Sequence, residues 1–222
     1  MRRLTDEGAL QRHRLCGANT CSAAVDRLWA LSDRWTRRGP AFFTLGAATY
    51  LDVCGGTSLA RYDHLHQAAD PVIRDHFTDL LEPLRTAIAD LTGQGADYHP
   101  ALALPGFHIF LAGSLHLGMR DNLHLDLQHT YLPLPADLFT PTLTFTLPLE
   151  TPVGGAGIEF CLPAAGDPRG RLVEEPYVAG ELLVHSGRAL HRRAHRPASD
   201  RCRRITLQGH GVLIDGRWRL YW

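Results

Sequence analysis

The second half of the chain is cut into short apolar or alternating runs, and this constrains the fold more than any other feature of the 222 residues. Segments 107–111, 123–128, 142–149, 157–162, 180–185, 204–214 and 218–222 are each of strand length and are separated by glycine and proline. Asp215-Gly216, between the last two, reads as a tight hairpin turn. Many short strands following a helical start predict a sandwich or barrel-like pair of sheets flanked by helices.

The first hundred residues have a different texture. Ser22 is placed to cap a helix whose Val25, Leu28, Trp29 and Leu31 lie on one stripe, with Gly39-Pro40 ending it. A short strand is expected from Phe42 to Leu51. A second helix opens on Asp70 and Pro71 and carries Ile73, Phe77, Leu80, Leu84, Ile88 and Leu91 on one face. Gly93 stops it, and Pro83 inside it predicts a kink. No internal repeat or low-complexity linker divides the chain. The expectation is one α+β, mainly β domain, with 1–99 as mostly helical support and 100–222 as the sheet core.

Composition removes several functions. Arg+Lys and Asp+Glu are both 23, so the formal net charge is zero and global electrostatic capture of nucleic acid or anionic membrane is excluded. All of those cations are arginine, which excludes Schiff-base lysine chemistry and a P-loop lysine. The five cysteines, Cys16, Cys21, Cys54, Cys161 and Cys202, are odd in number and scattered, as reduced thiols are. Cys16 and Cys21 lack the second pair a zinc knuckle needs and read as small buried apolar residues. The start Met1-Arg2-Arg3-Leu4 runs into polar residues, and no stretch approaches the ~18 apolar residues of a membrane span. A soluble cytoplasmic protein is expected, partnered by neither nucleic acid nor membrane.

The chemistry concentrates in Asn122-Leu123-His124-Leu125-Asp126-Leu127-Gln128. On a strand, His124, Asp126 and Gln128 share one face while the three leucines enter a core. An imidazole and a carboxylate two residues apart present two ligands to one metal, a donor set that suits non-haem iron(II). A third ligand must come from elsewhere. His191 follows the run Glu181–His185 and the turn Ser186-Gly187; His185 is its competitor and His195 a weaker choice. Further on, Arg204 and Thr206 share a face of the strand 204–214, and a guanidinium beside a hydroxyl can clamp a carboxylate. Arg203 falls on the other face.

In order and spacing, His124-x-Asp126, His191 and Arg204-x-Thr206 resemble the signature of the iron(II)/2-oxoglutarate-dependent dioxygenases, over about residues 100–214. The resemblance implies a double-stranded β-helix (jelly-roll, cupin-like) core with His124, Asp126 and His191 as iron ligands. It implies 2-oxoglutarate as cosubstrate, chelating iron by its keto-acid end and meeting Arg204 and Thr206 by its distal carboxylate. O2 is the second cosubstrate, and 2-oxoglutarate is decarboxylated to succinate as a substrate C–H bond is oxidised. Halogenases of this superfamily replace the carboxylate ligand by a small residue; Asp126 is present, which favours hydroxylation or a related oxidation.

His108, Gln128 and Tyr131 are candidate substrate-pocket residues, and the loop 113–121, with His116 and Met119, a candidate lid. Seven arginines between 188 and 204 lack interleaved aromatics, so they read as a solvated turn, with one or two able to meet a substrate carboxylate. The expected substrate is a small molecule such as an amino acid or short peptide. The alternatives are a protein side-chain hydroxylase and a non-catalytic cupin-like metal-binding module.

Overall fold

A computed structural model describes residues 10–54, 58–114, 122–153, 155–164, 167–194 and 203–222. The strands are β1 (Leu10–Arg14), β2 (Thr36–Gly39), β3 (Phe42–Leu45), β4 (Ala96–Tyr98), β5 (Gly106–Phe110), β6 (Thr142–Glu150), β7 (Gly157–Ala164), β8 (Asp167–Pro176), β9 (Glu181–Ser186), β10 (His191–Arg193), β11 (Arg204–Ile214) and β12 (Arg217–Tyr221). The helices are α1 (Ala18–Ala30), the single turn α2 (Thr49–Asp52) and α3 (Leu59–Thr92). A nine-stranded major sheet runs β1-β9-β6-β11-β5-β3-β2, with β12 beside β11 and β4 beside β12. The minor sheet is β10-β7-β8. Two facing, mainly antiparallel sheets with helices on one outer face form the expected double-stranded β-helix.

Strand alternation divides the major sheet into a helix side and a cavity side. Leu143, Phe145 and Leu147 of β6, Ile205 and Leu207 of β11, Phe107 and Ile109 of β5, and Leu182 and Val184 of β9 pack with Leu28 of α1 and Ile73, Phe77, Leu80, Leu84 and Ile88 of α3. Thr144, Thr146, His185, Arg204, Gln208, His210, His108 and Phe110 point the other way, toward the minor sheet. Covered on both faces, β6 is buried along nearly its whole length.

Several boundaries differ from the sequence expectation. The first helix starts at Ala18 behind Gly17, so Ser22 lies inside it rather than capping it. The strand at Phe42 ends at Leu45, where Gly46 takes φ 112° and the chain turns into α2. α3 begins twelve residues before Pro71: Ser58 caps it by accepting from Arg61 N, and Asp70 instead accepts from Leu104 N (3.1 Å). Its non-helical residue is Phe77 (φ −133°), between Pro71 and Pro83 rather than at Pro83. Gly93 ends it in the left-handed conformation, as the missing Cβ permits. Besides β3, the first hundred residues supply β1, β2 and β4, whose few residues each carry too little periodicity to stand out. Asp215 and Gly216 both take positive φ, the turn that suits the twist of the β11–β12 hairpin.

Candidate functional site

Residues 122–128 depart from the expected strand. They make one bridge to the open edge of the minor sheet, where His124 N donates to His191 O (2.9 Å) and His191 N to His124 O (3.1 Å). Asp126 N donates to Gly187 O (2.7 Å), and a 3-10 turn follows at Gln128–Tyr131. Leu125 is 42% exposed instead of entering a core.

This short bridge, Gly187 and β10 bring His124, Asp126 and His191 together, with one ligand atom from each lying within 4.8 Å of the others. His191 Nε2 is 3.3 Å from Asp126 Oδ2, and His124 Nε2 is 3.8 Å from Asp126 Oδ1. Both imidazoles are tethered from behind: His124 Nδ1 donates to Asn122 O (2.9 Å) and His191 Nδ1 to Ala189 O (2.7 Å). With Nδ1 carrying the proton, each Nε2 lone pair is free to face a metal, the arrangement that outer hydrogen bonds impose on ligating histidines. The carboxylate is fixed as well. Gln128 Nε2 donates to Oδ1 (3.0 Å) and Thr144 Oγ1 to Oδ2 (2.6 Å), while His210 Nδ1 lies 3.2 Å from the same hydroxyl. These donor atoms fit a divalent metal.

His185 stands apart from this group. Its Nδ1 donates to Ser186 O (2.9 Å), and its ring meets His191 edge-on at 4.6 Å. Burial, helped by the neighbouring His191, pushes its pKa down to about 3, so it is neutral. Burial pulls His191 the same way, but the Asp126 carboxylate outweighs it and the pKa rises above the ordinary value. Burial would raise Asp126; His191, His210 and His124 overcome it and hold the carboxyl well below the usual range. His195, His116, Met119, Cys202 and most of the candidate lid lie outside the described residues.

A cavity of about 630 Å³ opens between the sheets from this triad. Arg204, 5% exposed, lines its other end, with the guanidinium 4.3 Å from the centroid of Phe110, its cross-strand partner on β5. Phe110 in turn stacks on Phe42 at 4.3 Å, so Arg204 lies against an aromatic pair. Thr206 follows on the same face, fully buried, and its Oγ1 has no hydrogen-bond partner among the described residues. Thr206 is not among the residues that line the cavity, but an orphaned hydroxyl two positions along the same face from a cavity-lining guanidinium can help to bind a carboxylate.

His108 lines the cavity floor and meets Tyr50 OH through Nε2 (2.8 Å). Burial and then Arg204 hold its pKa well below the ordinary value. Tyr131 stands at the mouth, 58% exposed. Arg203 turns away and pairs with Glu150 (2.7 Å), and Arg192 with Glu159 (2.6 Å), while Arg188 donates to Leu138 O. Arg196 and Arg201 lie outside the described residues. The sequence reading passed over Gln208 and His210, which the alternation from Arg204 and Thr206 extends to, and Thr144, which the alternation of β6 implies. Tyr50 and Tyr177 carry no comparable signal.

No protein-family profile matches the sequence, and no curated protein does. Solved structures do match. The fold is that of proteins described as non-haem, α-ketoglutarate-dependent enzymes. The epimerase SnoN from nogalamycin biosynthesis aligns over 91% of this chain and 79% of its own, at TM-score 0.55 and 15% identity. SnoN has also been solved with Fe3+, α-ketoglutarate and nogalamycin RO, again at TM-score 0.55 and 15% identity, over 90% of this chain and 78% of that one. HygX from Streptomyces hygroscopicus, with nickel, 2-oxoglutarate and hygromycin B bound, aligns over 90% of this chain and 82% of its own, at TM-score 0.53 and 15% identity. No helix among the described residues is long and apolar enough to cross a membrane.

Proposed function

We propose that the protein is an iron(II)- and 2-oxoglutarate-dependent oxygenase that oxidises an unactivated C–H bond of a small molecule. One observation carries this reading: a single cavity holds a tethered His–Asp–His triad at one end and Arg204 at the other. His124, Asp126 and His191 would hold the metal, and three protein ligands of this kind leave coordination positions for other molecules. Iron bound there supplies activation of O2 coupled to oxidative decarboxylation of 2-oxoglutarate to succinate.

The protein's share is positional. Gln128 and Thr144 fix the carboxylate plane, and the Nδ1 tethers fix the two imidazoles. Arg204, steadied on Phe110, offers its fork to the distal carboxylate of 2-oxoglutarate, and Thr206 offers its hydroxyl. Phe42, Tyr50, Leu51 and Phe110 exclude water from the end where the cosubstrate lies. SnoN and HygX, described with nogalamycin RO and hygromycin B bound, support a small-molecule substrate, for which we propose an amino acid or short peptide. His108, Gln128 and Tyr131 are the candidate substrate contacts.

Adding iron(II) and 2-oxoglutarate under anaerobic conditions should give a visible charge-transfer absorption that is lost in His124→Ala. Admitting air should release succinate, and a panel of amino acids should stimulate that release. If iron(II) binds but 2-oxoglutarate changes nothing, the oxygenase reading fails and a metal-binding module remains.

A further inference from the structure

The start of α1 is held by a pair of thiols. Gly17 is its N-cap, and no side chain caps this end. Cys16 precedes the cap and Cys21 is the fourth helical residue, the two positions at which a hydrophobic staple fixes how a chain enters a helix. Here both members of the staple are cysteine, and their Sγ atoms lie 3.5 Å apart. The backbone beneath them is pinned on both sides. Leu15 N and Cys16 N donate to Gly180 O (2.9 and 3.1 Å), and Cys21 N donates to Gly17 O (3.1 Å). Gly180, at φ 79°, approaches so closely that a Cβ there would collide with Cys16 O and lie 3.2 Å from Cys21 Sγ.

A disulfide holds its sulfurs about 2.05 Å apart, so side-chain rotation must close only about 1.5 Å while the backbone stays in place. Cys21 is 3% exposed and Cys16 half-buried, which lets a small oxidant reach the pair from the Cys16 side. Burial, and then its bond to Cys21, push the Cys16 thiol up to about 12. The pair therefore rests as thiols at neutral pH, and its oxidation is slow. We propose that Cys16 and Cys21 are a redox modification site, forming a reversible disulfide that converts the staple at the start of α1 into a covalent one. The two thiols lose two electrons and two protons as the S–S bond forms. An oxidant of the diazene or small-disulfide class takes both, becoming a hydrazine or two thiols, and an added dithiol reverses the step. Neither cysteine lines the cavity, so this site stands independently of the oxygenase reading.

The test treats the folded, full-length protein with diamide, a diazene, then alkylates the remaining thiols with N-ethylmaleimide in denaturant and digests with trypsin. The peptide 15–27 carries both cysteines between Arg14 and Arg27. It should be recovered without alkylation and about 2 Da lighter than its dithiol form, and dithiothreitol should return both cysteines to alkylation. Closing this short loop should also raise the midpoint of thermal unfolding by about 2–8 °C. Cys16→Ala, treated in the same way, should show no such rise. The proposal is overturned if the peptide comes back alkylated at both cysteines, or if either is found joined to Cys54, Cys161 or Cys202 instead. It is equally overturned if the bond forms but leaves the midpoint unchanged or lowers it, since the corner would then be strained by the bond rather than built to take it. Peptide and midpoint are both read on the wild-type chain, so they decide the matter even if Cys16→Ala fails to fold.

Discussion

The two ends of the cavity are built by different means. Arg204 and Thr206 lie on β11, an eleven-residue strand paired on both sides by β5 and β6 and backed by Ile205 and Leu207 in the main core. Their positions follow from the ladder of the whole major sheet. The triad sits on a single bridge, one further backbone bond to Gly187 and a three-residue strand. Its geometry is set by local tethers: two Nδ1 bonds to carbonyls and two side-chain donors on Asp126. The same job of holding a polar group still is done by a sheet at one end and by individual hydrogen bonds at the other. Damage at the metal end should therefore stay local, while the anchor end should resist all but direct substitution.

The sharpest break of that contrast is at the ligands. Asp126→Ala or His191→Ala should weaken cobalt(II) or iron(II) binding by more than about 100-fold, because loss of an outer partner alone costs about 10–100-fold. His185→Ala should leave metal affinity within a few-fold, since it stands outside the group of donor atoms that lie within 4.8 Å of one another. Metal titration of both variants decides the third ligand, and a large loss in His185→Ala together with a small one in His191→Ala would reverse the assignment. At the other end, Arg204→Gln should weaken 2-oxoglutarate about 10–100-fold, the worth of a charge-assisted hydrogen-bonded pair, and leave metal affinity within about two-fold. Equal losses of metal and 2-oxoglutarate would sink the anchor role.

The contrast also explains what could be read from the sequence. β11 was legible to its exact ends because eleven alternating residues over a continuous core leave a long periodic trace, and Arg204 and Thr206 came with it. The pairing of His124 with Asp126 was legible as a motif, but the strand assigned to it was not there. A segment held by one bridge at a sheet margin buries no leucine stripe, so the alternation of Leu123, Leu125 and Leu127 reflected no core. The tethers were invisible for another reason: Thr144 lies eighteen residues from Asp126 in sequence, and it is the β6–β11 pairing that sets it beside His210 and the backbone bonds of Gly187 to Asp126 and Thr142 that bring the carboxylate to it. Thr144→Val keeps the shape of the side chain and removes the hydroxyl. It should cost about ten-fold in metal affinity with no change in 2-oxoglutarate affinity measured at saturating metal. A loss confined to overall stability would show that this hydroxyl serves packing rather than the ligand.

The smallest expected effect lies on the anchor side, at a histidine whose environment is fixed by the sheet. His108 on β5 is enclosed by Phe42, Phe110 and Trp222, bonded to Tyr50 from α2, and faced by Arg38, Arg204, Gln208 and His210. Burial and then the Arg204 charge disfavour its protonated form, so its pKa in the folded protein lies well below the 6.5 of the unfolded chain. Below that value the unfolded state binds a proton that the folded state refuses. Stability from this group is therefore complete above pH 6.5 and declines as the pH falls, by up to about 1.4 kcal/mol per pH unit. His108→Gln can keep a hydrogen bond to Tyr50 but cannot titrate. Denaturant unfolding at pH 7.5 and 5.5 should show a smaller loss in the variant than in wild type, because one of the groups that refuse a proton has been removed. An unchanged loss would mean that His108 takes up its proton in the folded state, and that the anchor end yields to acid by local rearrangement rather than being held by its ladder.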